Sequence, residues 1–124
     1  MRKIIHQHTI SFKHAFEGLW WAFTTQPNFR IHFLLSVCAL ILGYVFNITR
    51  VEWLIIVFTI VLGITGELLN TALEAMTDLI THEWRKEAKI AKDVAAGLML
   101  FIAAGSVVVA MIIFGPYAVT YFSF

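Results

Sequence analysis

With 124 residues, 60% of them hydrophobic and only 14% charged, the chain has room for one compact unit but lacks the polar surface a water-soluble one needs. A mean hydropathy of +0.81 fits a single integral-membrane domain over residues 1–124. A net charge of +1 and a pI near 8.0 give no reason to expect a nucleic-acid partner.

Residues 1–25 predict an amphipathic helix. Phe12, Phe16, Leu19, Trp20 and Phe23 fall on one side, and Lys13, His14 and Glu17 on the other, with Lys13 and Glu17 spaced to pair at i, i+4. Trp20 and Trp21 add rings of the kind that settle at headgroup level. The expectation is a helix lying along the membrane surface, compatible with packing on the bundle. The N-terminal stretch has no continuous apolar run or small-residue cleavage site, so it does not read as a signal peptide. His6, His8 and His14 share no metal-ligand spacing with a cysteine pair and read as interfacial.

Pro27 ends this element, because the residue before a proline is pushed out of helical geometry, and Gln26-Pro27-Asn28 reads as a turn. The first spanning helix is predicted over 31–48, with His32 as polar glue at its entrance and Cys38 as a small buried filler. Asn47 to Glu52 is a tight connection, and a second span is predicted over 53–80. The polar segment Thr81 to Asp93 follows, then a third span over 94–114 and an apolar tail with interfacial tyrosines. Ala95, Ala96, Gly97, Ala103, Ala104, Gly105 and Ser106 would let another backbone approach closely. The fold class expected is therefore all-α, three transmembrane helices plus an N-terminal surface helix, assembled as a homo-oligomer. The nine Lys and Arg residues divide as four before the first span, one after it and four after the second. That bias puts the N-terminus and the second loop in the cytoplasm and the C-terminus outside.

The second span carries Glu67, Asn70, Glu74 and Asp78 at i, i+3, i+7 and i+11, a stripe along one face. A carboxylate at the centre of a spanning helix costs about 2.5–3.5 kcal/mol on insertion scales, so such residues face a bundle interior and mark function. The orientation gives the stripe a depth gradient. Asp78 lies near the cytoplasmic interface and Glu74 a turn deeper, with Glu67 roughly 10 Å beyond Glu74 at ~1.5 Å per residue. Lys92-Asp93 opens the third span in the same layer, where helix N–H groups favour anions. Carboxylates able to hold a hard cation, a lysine and a helix N-terminus together suit phosphate. Neither a G-x-x-x-x-G-K-[ST] loop nor a protein-kinase H-R-D or D-F-G motif occurs. The competing class is a small proton or cation transporter or channel, with Glu67 and Glu74 as relay. Against it, Trp53 to Gly63 offers only Thr59 as a polar continuation.

The run Glu67-Leu-Leu-Asn70-Thr-Ala-Leu-Glu74-Ala-Met-Thr-Asp78, followed by Ala88-Lys89-Ile-Ala-Lys92-Asp93-Val-Ala-Ala-Gly97, resembles the signature of the small prokaryotic diacylglycerol kinases, which include the undecaprenol kinases. Phe12 to Gly18 and Asn28-Phe29-Arg30-Ile31-His32 also match that family's N-terminal pattern. The Ala88–Gly97 form is more similar to the undecaprenol kinase branch. The resemblance implies a homotrimeric lipid kinase of the bacterial inner membrane that passes the γ-phosphate of MgATP to the hydroxyl of undecaprenol or diacylglycerol. It implies Glu67 as general base and Asn70 as the residue that orients Glu67 and the lipid. It also implies Glu74 as ligand to the Mg2+ on the ATP phosphates, Lys92 and Asp93 as nucleotide contacts, and Glu17 on a helix near the nucleotide. Asp78 matches a motif position without an assigned role. Two departures stand out. Gln26 occupies a position where the family usually carries a glutamate, a second metal ligand, so its metal contact would be uncharged. Glu83-Trp84-Arg85-Lys86-Glu87 replaces the His-Pro pair that many relatives carry before the Ala-Lys, and Trp84 reads as an interfacial anchor.

Overall fold

A computed structural model describes the backbone of residues 2–123 and the side chains of residues 11–121 and 123. His6 and His8, expected at the interface, lie outside the described side chains. Four helices follow one another, α1 (Arg2–Thr25), α2 (Pro27–Val45), α3 (Arg50–Ile80) and α4 (Lys86–Phe122), and no strand occurs among the described residues. α2, α3 and α4 are each long and apolar enough to cross a membrane. At about 1.5 Å per residue, the 31 residues of α3 exceed the ~30 Å hydrocarbon thickness, so its ends reach the interfaces.

The punctuation is tighter than the hydropathy pattern predicts. α1 and α2 are separated by Gln26 alone, held extended at φ −99°, ψ 110°, with Pro27 opening α2. Proline suits that first helical position, because its missing N–H would be unpaired there anyway. The expected three-residue turn is therefore one residue long. α2 and α3 are joined by Phe46 to Thr49, with Asn47 in the left-handed region at φ 50°, which asparagine tolerates. Thr49 then caps α3. Its hydroxyl accepts from the Glu52 backbone N–H at 3.4 Å, and the Glu52 carboxylate accepts from the Thr49 N–H at 2.7 Å, a capping box that satisfies two orphan donors.

The largest departure concerns α4. The sequence places its start at residue 94, whereas the helix begins at Lys86 and runs through Pro116 to Phe122. Lys89, Lys92 and Asp93 therefore sit inside the helix, where the backbone N–H groups have intrahelical partners. The anion site expected from a helix end at Lys92 is corrected accordingly, since that end lies at Lys86. The run Ala88 to Lys92 consists mostly of strong helix formers, and hydropathy marks where apolar sequence begins rather than where a helix does.

The bundle is closed at the end away from α1. Ile48, Ile56, Ile113 and Phe114 form its buried core there. Phe46 stacks on Tyr117 with centroids 6.0 Å apart, and the Tyr117 hydroxyl donates to Glu52 at 2.8 Å. Tyr117 is thus tied to the α2–α3 turn. At the other end α1 packs on α2, with Ala22 buried and Phe23 edge-on to Phe33 at 5.4 Å, while Phe12, Phe16 and Trp20 remain exposed. Surface placement and packing therefore coexist. Large side chains facing outward, Phe101 and Leu79 among them, would be a liability in water and suit a lipid environment. Cys38, expected buried, is exposed, because the neighbouring helices cover only part of α2.

α3 and α4 make the most extensive interhelical contact, and Gly66 permits it. A Cβ there would meet Ile102 Cδ1 at 2.5 Å and Met99 Sδ at 3.0 Å. Both are ends of flexible side chains, so Gly66→Ala is expected to be tolerated, helped by about 1 kcal/mol of helix propensity. Gly66→Leu has no such outlet and is expected to cost about 1–3 kcal/mol by overpacking. Thermal unfolding of the two variants in detergent should separate them; equal midpoints would contradict this packing. The small residues Gly97 and Gly105 of α4, by contrast, have open space beside them.

Candidate active site

The acidic stripe of α3 follows the helix from its buried centre toward its C-terminal end. Glu67 is only 3% exposed, with Asn70 and Thr71 also buried; Glu74 is half-buried and Asp78 exposed. Their helical spacing puts them along one side of α3, and burial falls along it from Glu67 to Asp78. The deepest carboxylate is therefore enclosed by the protein, as the cost of charge in hydrocarbon requires.

Asn70 organises the stripe differently from the expectation. Its amide N–H donates to Glu74 Oε1 at 3.0 Å and not to Glu67. In a helix each Cβ leans toward the N-terminus, which brings the Glu74 side chain back over Asn70. The carbonyl oxygen of Asn70 is buried and accepts no hydrogen bond. A buried unpaired acceptor is costly in a folded protein, by about 1–3 kcal/mol, so this oxygen marks a place prepared for a donor.

Toward the helix end, Lys92 of α4 reaches across to Asp78, Nζ to Oδ1, at 2.6 Å. It is the one ion pair among the described residues that joins two helices. Lys89 pairs with Asp93 on its own helix. The structure thus brings Asn70 to Glu74 and Asp78 to Lys92, with Glu67 behind them. It does not bring Glu17 or Gln26 to the stripe. Glu17 pairs with Lys13 at 3.8 Å and His14 at 3.0 Å on α1. Gln26 caps the start of α2, and its amide lies 3.5 Å from the Thr25 hydroxyl. Trp84 is exposed in the α3–α4 connection, where Arg85 pairs with Glu83 at 3.1 Å.

One neighbour, Thr71, has no place in the sequence reading, and a second, His32, is read there only as polar glue at the entrance of the first span. Thr71 is buried beside Asn70, and its position on the stripe's face was the available signal. His32 approaches α3 from α2, its Nδ1 4.0 Å from where a Gly63 Cβ would stand, one turn from Glu67. Beyond His32, a cavity of about 320 Å³ runs between α2, α3 and α4. Its hydroxyls are spent on their own helices. Ser36 donates to His32 O at 2.8 Å, Thr59 to Ile55 O at 2.8 Å and Ser106 to Ile102 O at 2.9 Å. Hydroxyls occupied in this way offer no polar path continuing past Glu67, which weighs against a transporter or channel.

No group of three or more His, Cys, Asp or Glu side chains able to hold a metal ion occurs among the described residues. A magnesium ion does not need one, because it binds through one or two carboxylates and completes its shell with water and substrate phosphates. Glu74 fits that use. The bond from Asn70 takes Oε1 and leaves Oε2 available at the half-buried, open side of the stripe.

Comparison with known proteins identifies relatives along most of the chain. Residues 13–114 match the family model described as prokaryotic diacylglycerol kinase. Over 106 residues, 86% of each chain, the sequence is 40% identical to a protein of Bacillus subtilis (strain 168) named undecaprenol kinase. Over 101 residues it is 39% identical to a protein of Synechocystis sp. named diacylglycerol kinase, covering 81% of this chain and 58% of that protein.

Proposed function

Because the chain belongs to the prokaryotic diacylglycerol kinase family and is a lipid kinase, we propose that it transfers the γ-phosphate of MgATP to the hydroxyl of a membrane lipid, undecaprenol or diacylglycerol. The observation that carries this reading is the stripe itself, a buried carboxylate at Glu67 behind an Asn70–Glu74 pair that opens toward Lys92.

Glu67 takes the proton from the lipid hydroxyl. The freed oxygen attacks the γ-phosphorus, the bond to the β–γ bridging oxygen breaks, and ADP leaves. General base catalysis of this kind contributes about 10²–10⁴-fold. Asn70 fixes Glu74 through its N–H, and its unpaired carbonyl oxygen is free to accept from Glu67 once that carboxyl carries the hydroxyl proton. Glu74 is the residue that would hold magnesium, and Gln26, which a single chain does not bring to the stripe, would serve as an uncharged second oxygen donor only from a neighbouring copy. When bound, the ion neutralises charge on the transferring phosphoryl group. Lys92 contacts phosphate, and Asp93 and Glu17 lie on the nucleotide side.

The orientation follows from the lysines and arginines, with the N-terminus and the α3–α4 connection in the cytoplasm, where ATP is, and the C-terminus outside. The assembly is a homotrimer in the bacterial inner membrane. The open space beside Gly97 and Gly105 supports close approach of a second copy, and the family resemblance supports three. Purified protein, given ATP labelled at the γ-phosphate and each lipid in turn, should label at least one of them in a magnesium-dependent way. Folded protein that labels neither lipid would refute the reading.

A further inference from the structure

Asp78 has no assigned role, yet among the described residues its carboxylate makes the one ion pair between helices, to Lys92 at 2.6 Å. We propose that Asp78 is a positioning residue, whose carboxylate holds the Lys92 ammonium in the layer of Glu74 so that it meets the transferring phosphate. This rests on the reading of Lys92 as a phosphate contact.

Lys92 needs such a partner. Its side chain is long and flexible, and an ammonium, unlike the fork of an arginine, does not fix its own geometry. The other carboxylates nearby are already engaged, Asp93 by Lys89 and Glu74 by Asn70. Asp78 stands one turn, about 6 Å, from Glu74 toward the helix end, so a lysine tethered to it stays beside the metal-binding carboxylate. The ammonium has three donors, and its pairing with Asp78 leaves the others for phosphate oxygens. Both partners are partly exposed, at 41% and 53%, so nucleotide can reach them. For the same reason the pair adds little to stability, and its value lies in placement.

The test is a cycle on the full chain with saturating lipid, comparing Asp78→Asn, Lys92→Met and the double variant. Lys92→Met is expected to lower kcat about 100-fold, as loss of a group acting on the transition state does. Asp78→Asn is expected to lower it about tenfold with KM for ATP within about twofold, and Asp78→Glu to restore it to within about threefold. The double variant should match Lys92→Met, because a residue that acts through another is silent once the other is gone. A double variant a further tenfold slower, or Asp78→Asn at the wild-type rate, overturns the proposal. A charge swap, Asp78→Lys with Lys92→Asp, keeps the pair and moves the ammonium to α3. It should keep the thermal midpoint and lose transfer, whereas a swap with the wild-type rate would reduce the pair to a staple and overturn the proposal. Lys92→Met at the wild-type rate would instead remove the underlying reading of Lys92 while leaving the kinase intact.

Discussion

Glu67→Gln is expected to lower kcat for lipid phosphorylation about 10³-fold without unfolding the protein. The substitution keeps size and shape and removes the group that accepts the hydroxyl proton, and loss of a general base costs about 10²–10⁴-fold. The fold should not suffer. Glu67 is buried and makes no hydrogen bond to Asn70, whose amide is turned to Glu74, so a neutral amide relieves the enclosure of a charge rather than breaking a pair. The thermal midpoint should therefore stay level or rise while activity collapses. KM for ATP should hold, since Glu67 lies roughly 10 Å along the helix from Glu74. Glu67→Asp retains the carboxylate but withdraws it from the hydroxyl, and misplacement by about 1 Å costs about 10² in rate, so it should fall between the two. Retention of more than about a tenth of wild-type kcat by Glu67→Gln would sink the assignment of the base.

The stripe was legible in the sequence because its chemistry opposes its surroundings. Glu67 and Glu74 stand out in an apolar run, and helical spacing alone aligns them with Asn70 and Asp78. What the spacing does not decide is which neighbour a side chain takes. Asn70 has Glu67 three residues before it and Glu74 four residues after it, and both are helical neighbours. The lean of the Cβ bonds, which carries the Glu74 side chain back toward Asn70, settles the choice for Glu74. The Asp78–Lys92 pair is out of reach of any single-helix rule, because it depends on the register between α3 and α4, set in part by the close contact at Gly66. The start of α4 is hidden for a different reason, in that Lys86 to Asp93 is polar yet helical. The Thr49–Glu52 box is visible as T-x-x-E within the connection that the hydropathy pattern marks only as a break. The end of the bundle held by Tyr117 and Phe46 depends on partners 65 and more residues apart, and a local pattern gives no sign of it.

Glu74→Gln should separate the metal role from the base role. With the charge gone, the side chain keeps an oxygen but binds a divalent cation more weakly, so the magnesium concentration for half-maximal rate should rise about tenfold or more, and kcat at saturating magnesium should fall about 10²-fold. Glu67→Gln should leave that magnesium midpoint where it is. Gln26→Glu probes the same chemistry from the other side, because a carboxylate in place of the amide adds charge to a hard-cation site and should lower the midpoint several-fold. Gln26 caps α2 without a side-chain capping bond, so the exchange does not remove a bond the helix relies on. An unchanged midpoint for Gln26→Glu would mean that residue 26 does not reach the metal in the assembled enzyme. A midpoint moved by Glu67→Gln and unmoved by Glu74→Gln would invert the order of the stripe, placing the metal at the buried carboxylate and the lipid at the open one. The burial gradient argues against that inversion. A hydrated ion and a charged nucleotide approach from water and meet the half-buried Glu74 first, whereas a lipid hydroxyl arrives on an apolar body that can deliver it to the level of Glu67.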